Sequence, residues 1–163
     1  MAQLIDANTL FYKEFEPKTQ NRFVMTVGGI PSYLIRNVTR PTLTMDATTI
    51  DHINLRRKIK SGKAEWGDVT FTMYDPVVPS GAQSVMEWVR LAHESVTGRN
   101  GYADFYKKEV VIDVLGPVGD KVEQWTLKGA FPISVDFGPL DWATGDPAEI
   151  TVTLAVDYCI LQY

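Results

Sequence analysis

The sequence predicts a mainly β subunit: a sandwich or barrel of about eight strands, one flanking α-helix at about 80–97 and a long projecting hairpin at about 42–63. Three observations lead there. In the last third of the chain Ile150, Val152, Leu154, Val156 and Tyr158 alternate with Glu149, Thr151, Thr153, Ala155 and Asp157, the period-two pattern of a half-buried strand. Only one segment carries the i, i+3, i+4 apolar stripe of a helix, formed by Val85, Trp88, Val89, Ala92 and Val96. The remaining apolar runs are short and separated by Gly, Pro and Asp clusters, the turn chemistry of antiparallel strands.

Taken in order, residues 1–20 read as an arm or short helix, because Leu4, Ile5, Leu10 and Phe11 could share a face before Pro17 interrupts it. Arg22–Val27 and Ile30–Asn37 read as two strands hinged on Gly28-Gly29, a pair that tolerates the positive φ of tight hairpins. That pair lacks the further glycines and the Lys-Ser/Thr of a phosphate loop, which favours the hairpin. From Arg40 to Trp66 the chain is β-prone but too polar for complete burial, so it is expected to project from the body. Val69, Phe71 and Met73 mark a core-facing strand. Ser80 and Gln83 have capping-box spacing at the start of the helix, and Gly98 is placed to end it. Lys108–Leu115 and Lys121–Leu127 pair across Gly116–Asp120. Phe131, Ile133, Val135 and Phe137 are then expected on the core side of a strand whose polar side carries Ser134, Asp136 and Gly138. Gly138-Pro139 and Thr144–Pro147 let that strand reverse into the last one.

At 163 residues the chain fits a single domain, 1–163, large enough to bury roughly 68–70% of its unfolded surface. A net charge of −4 speaks against a general nucleic-acid binder, since affinity for a phosphate backbone needs surplus Lys and Arg. Any contact with DNA is therefore expected to be non-sticking. One cysteine, Cys159, leaves no partner for an intrachain disulfide and points to an intracellular history. Met1–Asp6 has no basic n-region and no apolar run follows, so neither a secretory address nor a membrane partner is expected.

The search for chemistry is nearly empty. His52 and His93 have no metal-ligand spacing and read as surface residues, and no nucleophile elbow exists. Cys159, beside Ile160 and Leu161, reads as an apolar filler. Trp66, Trp88 and Trp125 sit where core packing explains them. Asp136, Asp141, Asp146, Glu149 and Asp157 crowd the last third without the facing pair of a glycosidase or the spacing of a calcium loop. Their bland reading is solvated surface; a dedicated electrostatic role is the alternative. The same choice applies to the one basic cluster, Arg56, Arg57, Lys58, Lys60 and Lys63: a solvated hairpin face, or a contact with an acidic partner such as another copy of this chain. No enzyme activity and no cofactor are expected.

The order of parts resembles the tail tube protein family of contractile-tailed bacteriophages along nearly the whole chain. Carrying the resemblance are Asn21-Arg22-Phe23, Asp68–Met73 before the helix, Lys128–Pro132, Leu140-Asp141-Trp142 and the ending Glu149–Tyr158. The resemblance implies a virion structural protein whose copies form six-membered rings with a continuous barrel of strands around a channel. Rings would stack into the inner tail tube, assembled in the host cytoplasm, and phage DNA would pass through on ejection. Implied partners are other copies of the chain, a tail sheath protein, and baseplate and tube-terminator proteins. Bacteriocin tubes and type VI secretion tubes look alike in fold, so these and a baseplate tube-initiator stay open. A monomeric barrel binding a small ligand is a further alternative. On the tube reading Ser134, Asp136, Glu149, Thr151, Thr153 and Asp157 include the lumen-facing residues, because a polar, acidic lining repels phosphate. The basic cluster from Arg56 to Lys63 is then the expected contact between rings.

Overall fold

A computed structural model describes residues 15–163; the expected arm or short helix at 1–20 lies mostly outside them. Among the described residues nine strands and two α-helices follow one another: β1 Phe23–Val27, β2 Ile35–Val38, β3 Leu43–His52, β4 Leu55–Trp66, β5 Val69–Tyr74, α1 Gly81–Ala92, α2 Ala103–Tyr106, β6 Lys108–Leu115, β7 Lys121–Asp136, β8 Glu149–Ala155 and β9 Tyr158–Leu161. The fold class is the expected one, mainly β with one substantial helix.

Two sheets share one strand. The first half of β7 pairs with β6 and β9, and β6 pairs with β1. The second half of β7 pairs with β8, which continues through β5 to β2. What the sequence suggests as two strands, 121–127 and 131–137, is therefore a single 16-residue strand. It turns the corner at Gly129, whose φ of +66° suits a residue without a side chain. Opposite that corner the last strand breaks in turn, into β8 and β9. Its alternation changes phase there, so that Cys159 is buried and Tyr158 is half-exposed.

The inner faces of both sheets meet in one core. Met25, Val27, Val110, Ile112 and Leu127 come from the first sheet, and Val69, Phe71, Met73, Ile150, Val152 and Leu154 from the second. Each such burial is worth about 1.5–3 kcal/mol. Helix α1 adds Val85 and Trp88, with the Trp88 indole N–H donating to the Tyr106 carbonyl at 2.7 Å. It approaches β5 so closely at Gly81 that a Cβ there would lie 2.9 Å from Met73 Cε. Ser80 Oγ accepts from the Gln83 N–H, as the capping-box spacing requires.

The helix stops at Ala92, five residues short of 97. His93 is already extended, with φ −150° and ψ 125°, and the chain folds back so that Gly101 N–H donates to the Ala92 carbonyl. Val96 consequently leaves the apolar stripe and stands 93% exposed. Gly98 closes the loop instead, at φ +70°, donating to the Glu94 carbonyl.

Strands β1 and β2 do not form the hairpin their sequence suggests. A tight turn does sit at Gly28-Gly29, with Ile30 N–H donating to the Val27 carbonyl at 3.2 Å. Beyond it a single 3-10 turn, Ser32–Leu34, separates the strands, which pair at opposite ends of the sheet order, β1 with β6 and β2 with β5. Their apolar residues have better partners there, Met25 beside Ile112 and Ile35 beside Met73.

Ile133 and Phe137 also leave their expected places. A bulge between Pro132 and Ser134 carries Ile133 out to half exposure, and the Phe131 ring packs edge-on against Tyr106 at 5.3 Å between centroids. Val135, opposite Val152, keeps its core orientation.

Candidate assembly surfaces

Inward alternation of the second sheet leaves an outward face made mainly of hydroxyls. Thr70 lies beside Thr153 with Oγ1 atoms 3.3 Å apart, and Thr72 lies beside Thr151 at 3.4 Å. Ser134 flanks Thr153 and Asp136 flanks Thr151 on one side, while Asn37 flanks Thr72 on the other. The fold thus brings Ser134, Asp136, Glu149, Thr151 and Thr153 onto one face. Asp157 does not join them. It occupies the break between β8 and β9, where Lys107 Nζ holds its carboxylate at 2.8 Å and has its own pKa raised by that hydrogen bond.

Thr70, Thr72, Asn37 and Arg36 belong to the same face without having been nominated from the sequence. For the threonines the signal was there, since the alternation that sends Val69, Phe71 and Met73 inward sends them outward. Arg36 gave no such signal. Its position follows from the bulge between Ile35 and Asn37, and it is ion-paired with Glu149. That pair leaves Asp136 as the unneutralised charge of this face among the described residues.

Both borders of the face are open. Among the described residues, β2 has no strand beyond it, and the second half of β7 pairs only with β8. Open edges carry unused N–H and C=O groups, the usual template for adding a strand from another chain.

The projecting hairpin β3–β4 forms a two-stranded sheet of its own. Its stem is fixed by Gly67 N–H donating to the Thr42 carbonyl and by Trp66 lying edge-on to Trp125 at 6.3 Å. Opposed residues share a face, and this divides the basic cluster. Arg56, Lys58 and Lys60 lie on one side, opposite Asp51, Thr49 and Ala47; Arg57 lies on the other, opposite Ile50. That second side also carries Thr48, Ile59, His52 and Leu55, so it is an apolar stripe where the sequence suggested a basic patch. Leu55 is 66% exposed, and Ile50 and Ile59 are each about half-exposed. Arg56 is engaged within the hairpin by Asp51 at 2.8 Å. Lys63 lies past a bulge between Thr44 and Asp46.

Beneath the stem sits a carboxylate that sequence reading overlooked. Glu123 is buried and paired with Lys18 and with Arg40 at 3.6 Å, and it accepts from the Trp125 indole N–H. Burial pushes its carboxyl pKa upward; the hydrogen bonds from Lys18 and Trp125 and the charges of Lys18 and Arg40 outweigh that and hold it below the ordinary value. A carboxyl held low contributes stability above its unfolded pKa and loses it as pH falls through the folded one. Glu123→Gln is expected to cost about 1–3 kcal/mol at neutral pH, towards the lower end because Lys18 and Arg40 are well hydrated. Thermal melts from pH 7 down to pH 3 should show the gap to the native protein closing; a constant gap would refute the ionic role.

Cys159 is buried beside β7, and burial raises its thiol to about 11, leaving it neutral as an apolar filler should be. His52 and His93 are both exposed. Among the described residues no cluster of His, Cys, Asp and Glu could hold a metal, and no helix is long and apolar enough to cross a membrane.

No protein-family model matches the sequence, and no curated protein matches it. Solved structures do. A chain from the cryo-EM structure of the anti-feeding prophage cap, a tube-terminating cap, superposes with a TM-score of 0.73 at 19% identity, over 96% of this chain and 99% of that one. A chain of the PVC sheath-tube complex, an extracellular contractile injection system in its extended state, gives 0.69 at 20% identity, over 98% and 99%. Hcp1 from Flavobacterium johnsoniae gives 0.55 at 13% identity, over 86% and 94%. Agreement in backbone along nearly the full length of each partner, at identities this low, establishes a common fold. The chain has the fold found in the tube and tube-cap assemblies of contractile injection systems.

Proposed function

We propose that this protein is a structural tube subunit of a contractile tail or injection apparatus, working as stacked rings and catalysing nothing. The observation that carries the reading is the hydroxyl-rich four-stranded face with, among the described residues, an open edge on either side. Placed edge to edge, copies of such a sheet close into a barrel with that face on one surface throughout. Six copies would supply about 24 strands, and at about 4.8 Å per strand the backbone ring would be roughly 37 Å across or more, wide enough for a duplex or a small folded domain. Threonine and serine hydroxyls with one free carboxylate per copy make a lining to which a phosphate backbone does not adhere.

Within that reading the hairpin joins one ring to the next. Its ten-residue strand β3 extends about 30 Å, against about 20 Å for the strands of the polar face, so it outreaches the ring that bears it. The cargo on the first reading is phage DNA during ejection. A second reading, a protein-injecting tube outside any virion, is favoured by the similar full-length chains, which come from injection systems. On either reading a sheath, a baseplate and a terminator are the expected companions.

Sedimentation velocity with negative-stain microscopy tests the proposal. Annuli and hollow stacks should appear as concentration rises. Strictly monomeric protein at every concentration, even with a preformed tube base as template, would refute it, as would a lumen lined mainly by Lys and Arg.

A further inference from the structure

The polar sheet has two unlike ends. At one, where β5 starts and β8 finishes, the hairpin emerges through Thr42 and Trp66. At the other, where β5 finishes at Tyr74 opposite Glu149 and β7 finishes at Asp136, the connection 137–148 is tied back by Asp75 N–H donating to the Ala148 carbonyl. This connection and the sheet end enclose an open groove of about 1120 Å³, lined among others by Arg36, Tyr74, Leu140 and Trp142. Leu140 and Trp142 are almost fully exposed, unusual for two large apolar side chains, and they flank Asp141, whose Oδ1 accepts from the Ala143 N–H in a tight Asx turn.

Charge divides in the same way. From 136 to 149 there are four carboxylates, Asp136, Asp141, Asp146 and Glu149, and no cation; from 55 to 63 there are five cations and no anion. Among the described residues the ion pairs engage only Glu149 of the first group, by Arg36, and Arg56 of the second, by Asp51. Each end of the sheet therefore combines exposed apolar side chains with uncompensated charge, of opposite sign at the two ends.

Resting on the tube reading, we infer that the groove under Leu140 and Trp142 is the receptor for the hairpin of a second copy in the adjacent ring. The apolar stripe of Ile50, Leu55 and Ile59 covers Leu140 and Trp142, and Arg57, the cation on the same side of the hairpin, meets Asp141 and Asp146. The contact joins two different surfaces of identical subunits, so it is head-to-tail and repeats without closing, which is the geometry of a filament. It also gives the tube a polarity, since a terminal ring offers free hairpins at one end of the stack and free grooves at the other.

The test is a charge exchange. Asp141→Lys with Asp146→Lys, and separately Arg57→Glu, should each leave single rings of native thermal stability and lower the stacked fraction about tenfold or more by microscopy. Combining all three substitutions should restore most of it. As a second readout, Ile59→Cys and Trp142→Cys should be joined by a bismaleimide in stacks and not in isolated rings, Cys159 being buried. Normal stacking by the loop variant overturns the inference, and normal tubes that no longer take a sheath would assign the groove to the sheath instead. Loss of the rings themselves in the loop variant would place the contact within a ring and equally overturn it. If the native protein forms no ring at all, the tube reading fails, and the groove falls with it.

Discussion

Replacing Ile50 and Ile59 by glutamate is expected to yield a soluble, fully folded subunit that no longer builds tubes. Both residues lie in a hairpin that forms its own two-stranded sheet and packs on the core only through Trp66 at its stem, among the described residues. Their loss from the subunit should therefore shift the melting temperature little. In the assembly, by contrast, each half-exposed isoleucine has about 1 kcal/mol of apolar burial still to gain, and a glutamate there must be desolvated without a partner. A total near 3 kcal/mol per contact raises the critical concentration about a hundredfold or more, and a ring that engages all its hairpins at once multiplies the penalty. Light scattering and microscopy across a concentration series check this. Unchanged assembly would show that the stripe stays in water and that something other than the hairpin holds the rings together.

Thr151→Lys with Thr153→Lys should convert a channel that ignores nucleic acid into one that retains it. Each copy gains two ammonium groups on the face that carries Ser134 and Asp136, so a six-membered ring gains about twelve. Duplex DNA should then stay with variant tubes at low salt, with retention falling steeply as salt rises, while native tubes release it throughout. Neither substitution touches an inward-facing residue, and rings should still form. Co-sedimentation of labelled duplex with tubes provides the measurement. Equal binding by native and variant tubes would mean that these threonines face the sheath side, and the lining would have to be sought on the outer face of the other sheet.

Much of the fold was legible because it rests on short-range pattern. Period-two alternation marked β5 and the beginning of β8, though not its end at Ala155, the Gly116–Asp120 turn bounded β6, and Ser80 with Gln83 marked the start of α1. Where the reading went astray, a long-range partner overruled a local signal. Gly28-Gly29 makes a turn of hairpin type, yet its flanking strands gain more by pairing with β6 and β5 than with each other. Val96 continues a helical stripe on paper, but no core residue lies above it, and Gly101 captures the Ala92 carbonyl four residues earlier. At Ile133 one extra residue in the strand was enough to reverse a face.

The candidate surfaces divide along the same line. Alternation groups Glu149, Thr151 and Thr153 from the sequence alone, since neighbours two apart on a strand must share a side. It cannot say that Thr70, Thr72 and Asn37 extend the same face, because that depends on which strands lie next to β8. Nor can it foresee that the five cations of the hairpin part company across two sides, since cross-strand register decides that.

By itself, then, the sequence determined the β class, the one substantial helix, the projecting hairpin, the absence of recognisable catalytic motifs and the sign of charge carried by each segment. These are properties of composition and of spacing along the chain. Only the tertiary structure decided that one strand serves two sheets, that the hydroxyl face is bordered by open edges among the described residues, and that the basic hairpin and the acidic groove stand at opposite ends of it. Those are relations between residues a hundred positions apart, set by which apolar faces bury each other best, and periodicity holds no record of that choice.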